Sequence, residues 1–126
     1  MSSGGDAGAR KRRRLSRSGE FDRVYREGSS HANRHLVLYR FPRPGDDEIR
    51  LGISVGRKVG GAVERNRVKR ALREAFWSSE GLSGGHDFVL VARPEIAELL
   101  AAEGQAGVLA AIRQALDGLS GEDRST

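Results

Sequence analysis

The sequence predicts a small mixed domain of the α/β or α+β class, built on one sheet that helices cover. Apolar and polar residues alternate through residues 49–55, which is the period of a strand with one buried face. Apolar residues then recur at helical spacing through 63–78, and a second strand pattern follows at 86–92. A helix between two strands is typical of a β-α-β crossover, so we expect helices packed against a shared sheet.

Composition favours one domain with short tails. The 126 residues are 37% hydrophobic and 31% charged, which suits a modest core. The absence of cysteine excludes disulfides, zinc–thiolate sites and a cysteine nucleophile. No apolar run approaches the length of a membrane helix or a signal peptide, so we expect a cytoplasmic protein without a membrane partner. We expect a disordered basic arm over 1–14, the domain over 15–119 and a flexible tail over 120–126.

The first element is predicted to be a short helix between Ser18 and Gly28. Ser18 is a favoured N-cap residue, and glycine commonly ends a helix. Phe21, Val24 and Tyr25 recur at helical spacing, so two aromatic side chains share one face.

Two strands are predicted next, at 35–41 and 49–55. Their large apolar side chains share one face of the sheet, and Tyr39, Gly52 and Ser54 share the other. That second face is unusually small and polar for a core, so we expect a shallow open groove there.

The aromatic side chains near this groove have two interpretations. Phe21, Tyr25 and Tyr39 can form a stacking platform for unpaired bases, at roughly 1–3 kcal/mol for each base. Aromatic residues at helical spacing more often belong to a core, and the sequence leaves both interpretations open.

Basic residues are concentrated in the first part of the chain. Residues 1–73 carry 19 basic and 8 acidic side chains, a net charge of +11, whereas residues 74–126 carry 3 and 9, a net charge of −6. The segment 57–73 holds seven Lys or Arg beside one acid, Glu64. Such a cluster repels itself unless a polyanion such as nucleic acid neutralises it. The arginines at 10–14 are either a solvated tail or a supplementary phosphate contact.

The helix predicted at 63–78 has an apolar face and a cationic one. Five donors on one side can follow a phosphate backbone: Asn66, Arg67, Lys69, Arg70 and Arg73. Arg65 falls near the edge of the apolar face, from which its guanidinium can reach the groove. The alternative is a solvated surface helix, although such helices usually mix more acids with their bases. A final acidic, Ala/Leu-rich helix is predicted at 95–119.

Catalysis by the protein itself is not indicated. His31, His35 and His86 lack a matched acidic or lysine partner at informative spacing. The acids at 46–48 suit a polar hairpin turn better than a metal site, and no carboxylate cluster has metal-ligand spacing. The basic turn at 56–61 lacks the ending of a nucleotide-binding P-loop.

One pattern of residues resembles the signature of the protein subunit of bacterial ribonuclease P. It comprises Gly60, Ala62, Val63, Arg65, Asn66, Arg67, Val68, Lys69, Arg70, Arg73 and Phe76. The similarity extends over roughly 12–115 and includes Leu15, 21–25, Gly28, 38–39, 52–55 and 89–94. Two departures lie in the basic turn. Gly61 stands where the family commonly has Asn, and Gly56-Arg57 stand where Ser-Lys is frequent.

The resemblance implies an α+β fold, an α-β-β-β-α-β-α two-layer sandwich of the ribosomal S5 domain 2-like type with a left-handed βαβ crossover. It also implies a noncatalytic RNA-binding subunit. The catalytic RNA would hold the Mg²⁺ ions and remove the 5′ leader from precursor tRNA. The leader groove would contain Phe21, Tyr25, Tyr39 and Ser54, with Lys58, Arg65 and Asn66 at its edge. The catalytic RNA would contact Arg67, Lys69, Arg70 and Arg73.

Three other functions remain as alternatives. A ribosomal or RNA-chaperone protein shares the basic, aromatic composition. A DNA-binding regulator is less well supported, because the basic helix follows a glycine turn rather than a positioning helix, and we expect no DNA partner. An autonomous nuclease is the least supported of the three.

Overall fold

The computed structural model of the protein describes residues 12–15, 18–45 and 47–124, with only the backbone described at 122–124. Three helices pack with a five-stranded sheet. The strands are β1 (Arg12–Arg14), β2 (Ser29–Ala32), β3 (Leu36–Pro42), β4 (Ile49–Ser54) and β5 (His86–Ala92). The helices are α1 (Ser18–Glu27), α2 (Ala62–Trp77) and α3 (Ile96–Arg124), and a 3₁₀ turn (Arg57–Val59) precedes α2. The α+β class and the order of the predicted elements are confirmed.

The strand order across the sheet is β1-β4-β5-β3-β2. Strands β1, β4 and β5 run parallel, whereas β3 is antiparallel to both β5 and β2. Helix α2 connects the neighbouring parallel strands β4 and β5, so the predicted β-α-β crossover is confirmed. The left hand that the resemblance implies for it stays a prediction.

The main core lies between one face of the sheet and helices α2 and α3. Leu38, Leu90 and Ile53 stand side by side on adjacent strands and face this layer. Leu72 and Phe76 of α2 pack against them and are fully buried. Each such side chain contributes roughly 1.5–3 kcal/mol by leaving water, so α2 is held firmly by its apolar face and its cationic face stays outside.

Helix α1 covers part of the opposite sheet face. Val24 is fully buried there against Leu15 and Val89. The Phe21 ring lies directly over Gly52, where an added Cβ would come within 2.5 Å of the ring. The groove predicted on this face is therefore narrower than the sequence indicates, because α1 and Phe21 fill one side of it.

Two chain segments differ from the sequence-based expectation. Arg12–Arg14, expected in a disordered arm, form β1 and pair in parallel with β4, Arg12 opposite Ile49 and Arg14 opposite Leu51. Three consecutive arginines show no alternation of apolar and polar residues, so periodicity cannot reveal a strand held by its backbone. Residues 1–11 lie outside the described part of the chain.

The last helix also continues beyond the predicted boundary at Leu119. Helix α3 extends to Arg124, into the segment expected to be a flexible tail, while residues 125–126 lie outside the described part. Gly104 interrupts α3 with a φ of 66°, a left-handed conformation that glycine adopts at little cost.

Candidate nucleic-acid interface

Four predicted groove residues lie together on the sheet face beside α1. The Tyr25 ring meets the Tyr39 ring edge-on at 4.9 Å between centroids, and the Phe21 ring lies 6.3 Å from that of Tyr25. Ser54 is hydrogen-bonded to the Tyr25 side chain. The rings thus form one connected aromatic surface with a hydroxyl at its end.

These aromatic residues belong to both the core and the surface. Phe21 and Tyr39 pack against the buried residues Val24 and Val89. Tyr25, by contrast, is 37% exposed. The two interpretations that the sequence left open are therefore compatible, since packing fixes the rings while open faces and edges remain available.

The Tyr25 side chain is uncharged in the groove. Burial raises the pKa of Tyr25 above its ordinary value of 10.0, and the hydrogen bond with Ser54 opposes that rise in part. The Tyr25 phenol therefore stays neutral at physiological pH, so it adds no negative charge to repel phosphate.

The predicted groove-edge residues follow β4 in the chain. Lys58 is exposed in the 3₁₀ turn, and Asn66 is exposed on α2. Arg65 lies in the first turn of α2 and is half-buried; its Nε is buried and has no hydrogen-bond partner among the described residues. Within the described chain, no ring contact or hydrogen bond joins these three side chains to Tyr25 or Tyr39. These three residues are assigned to the groove edge because they follow β4 in the chain.

The predicted cationic residues of α2 have two kinds of surroundings. Arg67 and Arg70 are exposed on the outer surface, where Arg67 makes a loose ion pair of 3.8 Å with Glu64. Lys69 and Arg73 instead line a cavity of about 410 Å³ between α2 and β1. Arg73 is itself exposed, so the cationic residues run from the outer surface of α2 to the edge of this cavity.

The residues of β1 and Trp77 also line this cavity. The sequence leaves the arginines at 10–14 as either a solvated tail or a supplementary phosphate contact, and it did not indicate Trp77. Arg12, Arg13 and Arg14 line it together with Trp77, and the apolar residues Leu15, Phe21, Leu51 and Ile53 form the rest of its wall. Phe21 therefore borders both the cavity and the aromatic groove. The Arg12 guanidinium lies 5.0 Å from the centre of the Trp77 ring, which is a cation–π distance. Residues 69, 73 and 77 recur every four positions on α2, and that spacing is the signal that could have shown their common side.

An ion-pair network under the groove holds α1 to the sheet. Asp87 is 1% exposed and accepts two hydrogen bonds of 2.7 Å from Arg50 and one of 3.2 Å from Arg43. Arg50 also donates to Glu20 of α1 at 2.8 Å. Hydrogen bonds with Asp87 raise the pKa of Arg50, so it stays cationic. This network positions the helix that carries Phe21.

The remaining titratable clusters do not form a reaction centre. His86 Nδ1 lies 3.0 Å from the Gly84 carbonyl oxygen, and the His31 ring packs against Gly118. Across residues 12–15, 18–45 and 47–124, no three His, Asp or Glu side chains are placed to hold a metal ion. Over the same residues, no helix combines the length and apolar character needed to cross a membrane.

Fold and site together define a small α+β protein with an aromatic groove and a cationic helix suited to a polyanion. The chain belongs to the ribonuclease P protein family, whose model matches residues 9–116. It is thus a noncatalytic subunit of a ribonucleoprotein endoribonuclease that processes tRNA, and it has an RNA partner.

Individual relatives agree with this assignment. The ribonuclease P protein component of Halalkalibacterium halodurans is 47% identical over 91 residues, 71% of this chain and 76% of the relative. That of Geobacillus thermodenitrificans is 39% identical over 118 residues, 93% of this chain and 97% of the relative. The solved RNase P protein of Staphylococcus aureus superposes with a TM-score of 0.72 at 33% identity, covering 82% of this chain and 92% of that one.

Proposed function

We propose that this subunit binds the 5′ leader of precursor tRNA in its aromatic groove and the catalytic RNA on the cationic side of α2. The observation that supports this most directly is the pair of Tyr25 and Tyr39, edge-on at 4.9 Å and partly open, on a sheet face that α1 covers only in part. Two RNA surfaces on one small domain would hold the leader beside the RNA that cleaves it.

A single-stranded leader fits the chemistry of the groove. Unpaired bases expose their π faces, and each stacked base contributes roughly 1–3 kcal/mol without regard to sequence. Phe21, Tyr25 and Tyr39 offer such partners, and Ser54 offers a hydroxyl for a polar edge. A base-paired segment would present its backbone instead, so the groove favours leader over the folded body of tRNA.

The catalytic RNA fits the outer side of α2. Arg67 and Arg70 are exposed, and Asn66 lies one turn from Arg70 on the same helix. Exposed guanidiniums with weak or no ion pairs keep their charge available for phosphate, so binding should weaken steeply as salt rises.

The chemical step is assigned to the RNA. The one buried carboxylate among the described residues, Asp87, is occupied by Arg43 and Arg50, and the described chain offers no metal-ligand cluster. The residues present do not fit a catalytic Mg²⁺, so we place that ion on the RNA partner. The protein would contribute positive charge that lowers repulsion between the two RNAs and so reduces the Mg²⁺ concentration required. Hydrolysis would leave a 5′-phosphate on the mature tRNA, and we place this processing in the cytoplasm.

Reconstitution tests this proposal. Precursor tRNA with a leader is incubated at low Mg²⁺ with the protein, with a bacterial ribonuclease P RNA, and with both. We expect efficient cleavage only in the third mixture. Cleavage by the protein alone, or no stimulation of a competent RNA, would overturn the proposal.

The groove is tested separately with Tyr39→Ala. This variant should bind precursor tRNA more weakly in the holoenzyme, by roughly fivefold to a hundredfold for one lost stacking contact. Its affinity for leaderless mature tRNA should be unchanged. An equal loss with both RNAs would show that the groove does not bind the leader.

A further inference from the structure

The cavity between β1 and α2 has the size and lining of a binding site. Its volume of about 410 Å³ lies within the range of roughly 300–1,000 Å³ that is typical of small-ligand pockets. Arg12 and Arg14 stand opposite Ile49 and Leu51, whose side chains face the α2 layer, so both arginines project toward α2. Arg13, which also borders the cavity, differs from them because its guanidinium forms an ion pair of 3.3 Å with Glu48.

Four cations of this cavity have no ion-pair partner within the described part of the chain. Lys69 and Arg73 approach from α2 while Arg12 and Arg14 approach from β1. Among the described residues, no carboxylate lies within 4.0 Å of these four cations, whereas Arg13 and Arg67 each have one and Arg50 has two. Four close positive charges without a partner repel one another, and a phosphate group would remove that cost.

The cavity also contains an aromatic surface beside its charges. Trp77 is the only tryptophan of the chain, and the Arg12 guanidinium lies over its ring at 5.0 Å. A base can stack on such a ring or on the guanidinium plane while its phosphate meets the cations. The pocket offers cationic hydrogen-bond donors for a phosphate and an aromatic ring for stacking. This combination suits a nucleotide better than an isolated anion.

We propose that this cavity binds one nucleotide unit of the catalytic RNA, its phosphate among Arg12, Arg14, Lys69 and Arg73 and its base against Trp77. The inference rests on the proposed function, because it extends the α2 surface already assigned to that RNA. Asn66, Arg70 and Arg73 follow each other at helical spacing, so a strand along the outer side of α2 leads into the cavity. Strand β1 is then a second wall of the RNA site.

Fluorescence of Trp77 gives a direct test, since it is the only tryptophan in the chain. The full-length protein is titrated with acrylamide, a neutral quencher, alone and in complex with a bacterial ribonuclease P RNA without tRNA. We expect the RNA to lower the quenching constant at least twofold. Equal quenching in both states would overturn the inference, and so would protection that appears only when a leader-containing precursor is added.

Charge variants supply the second measurement. Arg12→Ala combined with Arg14→Ala should weaken binding of the catalytic RNA by about tenfold and lower the salt slope by about 2, one for each lost phosphate contact. Arg113→Glu is the matched control, because it lowers the net charge by the same two units at an exposed site on α3. If both variants weaken RNA binding equally, the loss is explained by net charge alone, and the proposal that the cavity binds a nucleotide is overturned.

The two proposals fail in different ways. If the wild-type protein binds the RNA and protects Trp77 but does not stimulate cleavage, the proposed function fails and the cavity stands. The opposite result is normal stimulation of cleavage, with an Arg12/Arg14 variant that binds the RNA like wild type and with Trp77 still open to acrylamide. In that case only the cavity proposal fails.

Discussion

The groove and the cationic side of α2 are built in opposite ways. Groove residues are fixed from below, as Phe21 lies on Gly52 and Glu20 of the same helix is tied to Arg50 and Asp87. On α2, Arg70 and Arg73 have no carboxylate within ion-pair distance in the described chain. Stacking requires rings that are already in position, whereas phosphate binding requires charge that no internal partner has neutralised. This difference predicts that substitutions in the groove alter the stability of the fold and the position of the rings. Substitutions on the cationic side of α2 should instead alter the salt-dependent binding of RNA.

The largest expected effect is that of Asp87→Ala, which removes the anion beneath the groove. Arg50 and Arg43 would lose their buried partner, and removing one member of such a pair typically costs about 3–5 kcal/mol of unfolding free energy. Urea denaturation measures this loss. Asp117→Ala, an exposed site on α3, is the control and should change the free energy by less than about 0.5 kcal/mol. Equal effects at the two sites would show that the network does not hold the fold.

Gly52→Val should break the groove with a smaller loss of stability. A Cβ at Gly52 would approach the Phe21 ring to 2.5 Å, so the ring and α1 must shift. Overpacking of this kind costs roughly 1–3 kcal/mol, and leader affinity should fall with it because the aromatic surface is displaced. Thermal unfolding and binding of a leader oligonucleotide to the holoenzyme are the measurements.

A glycine on α1 provides the control for that variant. Nothing lies within 4 Å of a Cβ added at Gly19, and alanine is the better helix former. Gly19→Ala should leave leader affinity unchanged and stability equal or slightly higher. A loss of leader affinity in both variants would point to α1 as a whole rather than to the contact between Phe21 and Gly52.

The combination of Arg67→Ala and Arg70→Ala should leave stability unchanged and weaken the RNA complex. Both side chains are exposed, and the ion pair of Arg67 with Glu64 at 3.8 Å is too open to stabilise the fold by more than a few tenths of a kcal/mol. We expect about tenfold weaker binding of the catalytic RNA near physiological salt and a salt slope lower by about 2. A changed midpoint of unfolding, with RNA affinity unchanged, would contradict the comparison drawn above.

Much of the fold could be predicted from local patterns, and the missing parts are those that depend on distant residues. Alternation located β4, a second strand pattern located β5, and helical spacing located α1 and α2. Strand β1 was not predicted, because its arginines are held by backbone pairing with β4. The pairing of Arg12 with Ile49 produces no apolar–polar alternation in the sequence. The partners Glu20, Arg50 and Asp87 are likewise far apart in the chain.

The sequence predicted which residues belong to the candidate site more completely than it predicted how they are arranged in space. Phe21, Tyr25, Tyr39 and Ser54 meet as expected. Strand parity places Tyr39 and Ser54 on one sheet face, and helical spacing places Phe21 and Tyr25 on one side of α1. The helical stripe stays a prediction as an RNA contact, but the sequence did not show that Lys69 and Arg73 also border a cavity beside β1. A helical wheel gives the angle of a side chain, but it does not show which neighbour lies there.

The smallest expected effect, that of Tyr25→Phe, separates the ring from its hydroxyl. The aromatic face remains, so leader affinity should stay within about twofold, while loss of the partly exposed hydrogen bond with Ser54 costs about 0.5 kcal/mol. Burial raises the pKa of Tyr25 in the folded state above 10.0, so the neutral phenol is favoured by folding. That contribution is complete below the unfolded pKa and is lost as the pH rises through the folded one. Unfolding free energies measured from pH 7 to pH 11 should therefore fall more steeply above pH 10 for wild type than for the variant. Parallel profiles for the two proteins would show that Tyr25 ionises as freely in the folded state as in the unfolded one.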